Sequence, residues 1–221
     1  RSEIKMMTFE ASNVTLSIDN IKILNNVSFN IPTYQFTSIM GPNGSGKSSI
    51  LKILIRELLP ISGTVTSIPN NLIAYIPQTL SDPPFLLVSE IINLGMRLRK
   101  ISKKNKLAIA HGISKECGIE LLLDRKFESL SGGEKQRVWL SFCLAQDKEI
   151  ILLDEPLSSI DHHSREDFYK TLQKISRKSK TLLLVTHDND LSVKYSDKII
   201  YMRNGSIEFD GSSSDFKNLQ K

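Results

Sequence analysis

Two glycine-rich stretches, at 41–48 and 130–137, restrict what this chain can fold into more than anything else in it. The first, Gly41-Pro42-Asn43-Gly44-Ser45-Gly46-Lys47-Ser48, follows the apolar run Phe36 to Met40 and opens the apolar helical stretch Ile50 to Leu59. A strand, a glycine loop and a helix in that order let consecutive amides converge on an anion without obstruction by side chains. The helix N-terminus adds its partial positive charge. Lys47 then reaches the outer phosphates of a nucleotide, and the Ser48 hydroxyl ligates magnesium. Ser49 closes the set of loop residues expected to hold the nucleotide. The plain alternative is an ordinary glycine turn, but the flanking strand and helix patterns are those a phosphate loop requires.

Downstream, Ile150-Ile151-Leu152-Leu153-Asp154-Glu155-Pro156 reads as a buried parallel strand that ends in two acids and is stopped by proline. Alone, such a pair is a solvated strand end. Behind a phosphate loop, Asp154 suits a residue that ligates magnesium directly or through a bound water. Glu155 points elsewhere and suits the residue that polarises an attacking water. The second glycine stretch, Leu130-Ser131-Gly132-Gly133-Glu134-Lys135-Gln136-Arg137, contains the Ser-x-x-Glu pattern of a helix capping box.

Together these stretches resemble, in the same order, the nucleotide-binding subunits of ATP-binding cassette (ABC) transporters. Gly41 to Ser48 resembles the Walker A loop, and Ile150 to Glu155 the Walker B strand with its catalytic glutamate. Leu130 to Arg137 is similar to the LSGGQ signature, with Glu134 where glutamine is commonest. Gln78, after Ala74-Tyr75-Ile76-Pro77, resembles the Q-loop glutamine, a further magnesium ligand and γ-phosphate sensor. Ser158-Ser159-Ile160-Asp161 resembles the D-loop, and His187 the switch histidine. The resemblance implies ATP and Mg²⁺ as cofactors, with Glu155, His187 and Gln78 as catalytic residues. It makes Ser131, Gly132 and Gly133 a second anion cradle, and implies a dimer with ATP sandwiched between one copy's Walker A loop and the other's signature. That dimer is a homodimer or a pseudo-dimer with a paralogous ATPase. The further partner implied is a membrane-spanning permease, contacted through 79–87 and the apolar set Phe85, Leu86, Leu87 and Val88. The expected location is cytoplasmic, peripheral on the inner face of the cell membrane.

Val88-Ser89-Glu90-Ile91-Ile92-Asn93-Leu94-Gly95 is similar to a segment of the siderophore, haem and vitamin B12 importers, with Met96 in place of that group's arginine. Two more departures concern local structure. The family's adenine-stacking aromatic aligns with Ile18 or a neighbour, and none of Leu16 to Asn20 is aromatic, so adenine contact is expected to be aliphatic. Pro32-Thr33-Tyr34-Gln35 replaces a common Pro-x-Gly turn, and Tyr34 is expected to avoid positive φ.

The 221 residues suit one α/β domain. Alternating apolar segments near 13–18 and 23–31 predict an N-terminal antiparallel β-subdomain. Strand-like runs at 36–40, 72–76, 150–154 and 181–186 alternate with helical patterns near 47–58, 132–146 and 161–178, as in a mainly parallel sheet. Val88 to Lys100 and Lys104 to Cys117 read as helices of an inserted α-helical subdomain carrying the signature. The expected division is a core at about 1–82 and 147–221 with the helical part at about 83–146. Asn204-Gly205 predicts the turn of a closing hairpin.

No run approaches the ~18 apolar residues of a membrane span, and no signal-peptide pattern opens the sequence, so direct membrane insertion is not expected. Cys117 and Cys143 lack metal-ligand spacing and read as core residues of a reducing compartment. His111, His162 and His163 read as helix surface, and Trp139 as packing. The net charge is +5, and Arg97, Arg99, Lys100, Lys103, Lys104 and Lys106 cluster. A solvated helical face, attraction to an anionic membrane or membrane subunit, and nucleic-acid binding all answer to such a cluster. The last lacks the interleaved aromatics that stacking would need, so no nucleic-acid partner is expected. Three functions compete: a transporter ATPase, a DNA-repair or chromosome-structure ATPase, and a regulatory cassette without a membrane partner. The short gap from Lys47 to Ser131 disfavours the second, whose members carry long coiled coils there. The single cassette disfavours the third.

Overall fold

The computed structural model describes residues 9–66, 68–157, 160–178 and 180–219. Two long strands, β1 (Phe9–Ile18) and β2 (Ile21–Ile31), pair antiparallel and lead into β3 (Phe36–Met40), α1 (Lys47–Leu54), β4 (Ser62–Val65) and β5 (Ile73–Ile76). The helices α2 (Val88–Gly95), α3 (Lys103–Cys117) and α4 (Gly132–Ala145) follow without an intervening strand. The chain then alternates through β6 (Ile150–Asp154), α5 (His162–Ser176), β7 (Thr181–Val185) and α6 (Asn189–Tyr195). It closes with β8 (Lys198–Arg203), β9 (Ser206–Ser212) and α7 (Ser213–Leu219).

The strands form two sheets, one ordered β2-β1-β4 and one ordered β5-β6-β7-β3-β8-β9. In the larger sheet every pairing is parallel except β8 with β9. Its central strands β3, β6 and β7 are buried throughout, which is why they read as unbroken apolar runs. Period-two alternation divides them between two cores. Ile151, Leu153, Leu182 and Leu184 face α2 to α5, whereas Ile150, Leu152, Leu183 and Val185 face α1 and the small sheet. The phosphate loop thus leaves the C-terminal edge of β3, between β7 and β8, with β6 one strand further on.

Several local expectations change. Tyr34 has φ 58°, in the left-handed region. Its N–H must turn inward to donate to Thr181 Oγ1 at 2.9 Å, and that bond holds the turn where glycine would be easier. The helix expected over 88–100 ends at Gly95, and Met96, Arg97 and Arg99 continue in tight i→i+3 turns. The helix expected to reach residue 58 stops at Leu54, with Arg56 at φ 61°. Strand β4 is a further element: its Ser-Gly-Thr-Val has no apolar alternation, and backbone pairing to β1 alone makes it a strand. The Asn204-Gly205 turn forms as expected, with φ 49° and 75°. Cys117 and Cys143 are buried free thiols, both pushed up to about 12 by burial, which keeps them protonated and inert. His111, His162 and His163 are exposed on helices. Trp139 packs edge-on to Phe127 and Phe142. In the apolar set at 85–88, Phe85 is 76% exposed but Val88 is fully buried, because α2 turns it into the helical core.

Candidate functional site: a phosphate-loop cleft

The loop between β3 and α1 is shaped by glycines at positive φ. A Cβ on Gly41 (φ 143°) would lie 2.1 Å from the Met202 carbonyl oxygen, and one on Gly46 (φ 97°) 2.6 Å from Leu24. Ser45 Oγ is buried inside the loop with no hydrogen-bond partner among the described residues. An orphaned donor at that place fits an anion seated in the cradle. Lys47, the first residue of α1, is almost wholly buried. Its ammonium donates to the carbonyls of Gly41 and Pro42, both at 3.0 Å, and lies 3.6 Å from Glu155 Oε1.

From the tip of β6, Asp154 accepts a 2.8 Å hydrogen bond from Ser48 Oγ. Burial pushes the Asp154 carboxyl up, the Ser48 bond draws it down, and nearby Glu155 raises it again. The Tyr75 hydroxyl bonds the same carboxylate, and burial with that charge holds the phenol well above its ordinary range. Ser48 and Asp154 are hard oxygen donors side by side, the donor chemistry Mg²⁺ takes. One residue on, Glu155 sits in left-handed backbone (φ 44°), tied by its N–H to the Val185 carbonyl at 2.9 Å. Strain of this kind gathers at functional positions. Gln78 Nε2, beyond β5, donates to Glu155 Oε2 at 3.2 Å.

Asn43, Gly44, Gly46, Lys47, Ser48, Ser49, Gln78, Glu155 and Ile23 line one cleft of about 350 Å³. Gly41, Pro42 and His187 line the neighbouring cleft, and His187 also shares a small pocket with Glu155. The expected residues at 41–49, 78, 154, 155 and 187 are therefore gathered around the ends of β3, β5, β6 and β7. Ser131, Gly132 and Gly133 are not among those lining the phosphate cleft. They begin α4, where Ser131 and Glu134 form the capping box, with Ser131 N–H donating to Glu134 Oε2 at 2.8 Å. Of the D-loop stretch, Ser158 and Ser159 lie outside the described residues, and Asp161 caps α5 by accepting from the Ser164 N–H at 3.0 Å.

Sequence reasoning missed two residues here. Ile23 reaches the cleft from β2, and its only sequence signal was its place in an alternating strand. Arg165 on α5 donates to the Ile160 carbonyl at 2.6 Å and lies 3.7 Å from Asp188, bracing the D-loop side against the turn that carries His187.

The sequence pattern of the family described as "ABC transporter" matches residues 24–158. This chain belongs to that family. It is an ATP-binding, ATP-hydrolysing subunit concerned with transport. It is 32% identical over 226 residues to the hemin import ATP-binding protein HmuV of Photobacterium damsela subsp. piscicida, covering 95% of this chain and 85% of the relative. It is 32% identical over 225 residues to the zinc import ATP-binding protein ZnuC of Rickettsia bellii, covering 97% and 93%. Among solved structures, the dimeric ABC transporter cassette MJ0796 superposes with a TM-score of 0.79 at 28% identity, covering 93% of this chain and 98% of that one. No helix among the described residues is long and apolar enough to cross a membrane.

Proposed function

We propose that this ABC ATPase powers an importer for a metal chelate such as haem or a siderophore complex, by ATP-driven closure of a dimer. The observation that carries the mechanism is the division of anion-binding parts. Lys47, Ser48, Glu155 and Gln78 line one cleft, with Asp154 bonded to Ser48 at its edge, while Ser131 to Gly133 begin α4 and are not among its lining. A second copy, identical or paralogous, supplies the missing cradle.

In that complex the loop N–H groups of 43–49 and the Lys47 ammonium hold the phosphates, and Lys47 exchanges its bonds to Gly41 and Pro42 for phosphate oxygens. Ser48, Asp154 and Gln78 would hold Mg²⁺, which would supply charge neutralisation for phosphoryl transfer. Glu155 accepts the proton of the attacking water, held in place by its strained backbone and by Gln78. His187 positions the γ-phosphate and that water. Ser131, Gly132 and Gly133 of the partner complete the charge cage, since phosphoryl transfer is mostly positioning and electrostatics.

The chain is one ATPase domain, with a core at about 1–82 and 147–221 and a helical part at about 83–146. It works at the cytoplasmic face of the membrane, docked on a polytopic permease through the exposed Phe85 beyond Gln78. HmuV favours a chelate as cargo, and ZnuC supports free zinc as the second reading. Purification of the tagged chain from solubilised membranes tests the proposal. A permease should co-purify, and Phe85→Asp should release it while leaving hydrolysis by the isolated subunit intact. Stimulation of the purified complex by a chelate and its binding protein, and not by zinc, selects the cargo. Recovery of no membrane protein by the unmodified chain contradicts the permease docking.

A further inference from the structure

The connection between α2 and α3, with the first turn of α3, carries cations and no acids. No Asp or Glu occurs between Glu90 and Glu116, while Arg97, Arg99, Lys100, Lys103, Lys104 and Lys106 fall within ten positions. Arg99 is used internally, donating to the Ala145 carbonyl and pairing with Asp147 at 3.1 Å. Among the described residues, no ion pair is made by Arg97, Lys100, Lys103, Lys104 or Lys106. The acids that bound this stretch in the sequence are engaged elsewhere: Glu116 with Lys178, and Glu90 with the Leu87 N–H.

Two features separate this patch from an ordinary solvated face. First, Lys103, Lys104 and Lys106 occupy the first turn of α3, which contains no acid. The helix field there favours anions and opposes cations, so these lysines stand where α3 itself is least stable with them. Second, large apolar side chains stand among the cations: Leu98 is 89% exposed, and Leu94 and Leu107 flank it in the open. Phosphate-backbone binding gives no use to an isolated leucine, and the patch holds no aromatic for base stacking. Cations around a protruding leucine match an interfacial lipid surface, with headgroup phosphates outside and acyl chains beneath.

We propose that the 94–107 tip is a membrane-contact site that binds anionic phospholipid. Lys100, Lys103 and Lys104 meet headgroups, and Leu98 enters the acyl boundary. The contact would hold the helical layer against the bilayer independently of permease docking, and it requires no permease to be observed.

The test is co-sedimentation of the full chain with vesicles of phosphatidylcholine alone or mixed with phosphatidylglycerol. The chain should partition at least ~10-fold more strongly onto the anionic vesicles at low salt, and binding should weaken toward ~0.15 M salt. Lys103→Glu combined with Lys104→Glu should lower anionic binding ~10-fold or more while its urea midpoint holds or rises, because acids suit a helix N-terminus. Leu98→Ser should lower it severalfold with ATP hydrolysis unchanged. Equal binding to both vesicle types, or undiminished binding by the charge-reversed variant, overturns the proposal. So does displacement from the anionic vesicles by random-sequence RNA at equal charge, which would make nucleic acid the partner. A chain that binds these vesicles yet co-purifies with no permease refutes the docking reading and leaves this one standing.

Discussion

At the scale of single residues, Glu155 combines three observations: left-handed backbone, an ion pair with Lys47 and a hydrogen bond from Gln78. Glu155→Gln should keep Mg-ATP binding and lose at least ~100-fold in turnover, the scale of a positioned base. Single-turnover hydrolysis measures it, and near-wild-type turnover removes Glu155 from that role. Tyr34 is the comparable outlier away from the cleft. Tyr34→Gly should raise stability by roughly 0.5–1 kcal/mol, left-handed strain outweighing glycine's extra chain entropy. Urea unfolding at unchanged m-value checks this, and a lowered midpoint means the tyrosine ring contributes more than its strain costs. These residues also mark what the chain made legible. That Lys47, Ser48 and Asp154 meet at the ends of β3 and β6 could be read because phosphate chemistry dictates glycines and donors at fixed spacing. Tyr34 could not, because its φ is set by a hydrogen bond to Thr181, far along the sequence.

At the scale of elements, the buried strands were readable because burial on both faces leaves only apolar residues, as in Ile150 to Leu153. Strand β4 and the early ends of α1 and α2 were not, since pairing partners and local turns decide them. Gly95 shows the difference. Its place in an importer-like segment said nothing physical, whereas the structure puts a Cβ there 2.6 Å from the Phe142 carbonyl oxygen and 2.8 Å from Ala145 Cβ. The α2–α4 crossing therefore requires glycine. Gly95→Ala should destabilise the protein by about 1–3 kcal/mol, read as a lower unfolding midpoint. A neutral result would mean the two helices can separate without loss. Arg165 is likewise an element-scale residue, invisible as one arginine on an amphipathic helix until α5 is laid beside the ends of β6 and β7.

At the scale of the whole molecule, the phosphate cleft and the start of the signature helix are both formed, but Ser131, Gly132 and Gly133 do not line the cleft that holds Lys47, which is why the proposed chemistry calls for a pair of chains. The order of motifs made such a pairing legible through resemblance. The separation of Ser131 from the residues lining the Lys47 cleft gives it a physical basis. The most direct test mixes two variants, Lys47→Ala and Ser131→Arg. Each alone should be inactive. Mixed dimers carry one intact composite site, so hydrolysis should return and peak at an equal ratio of the two proteins. Absence of hydrolysis at every ratio, with mixed dimers demonstrated by differential tagging, would contradict the shared site.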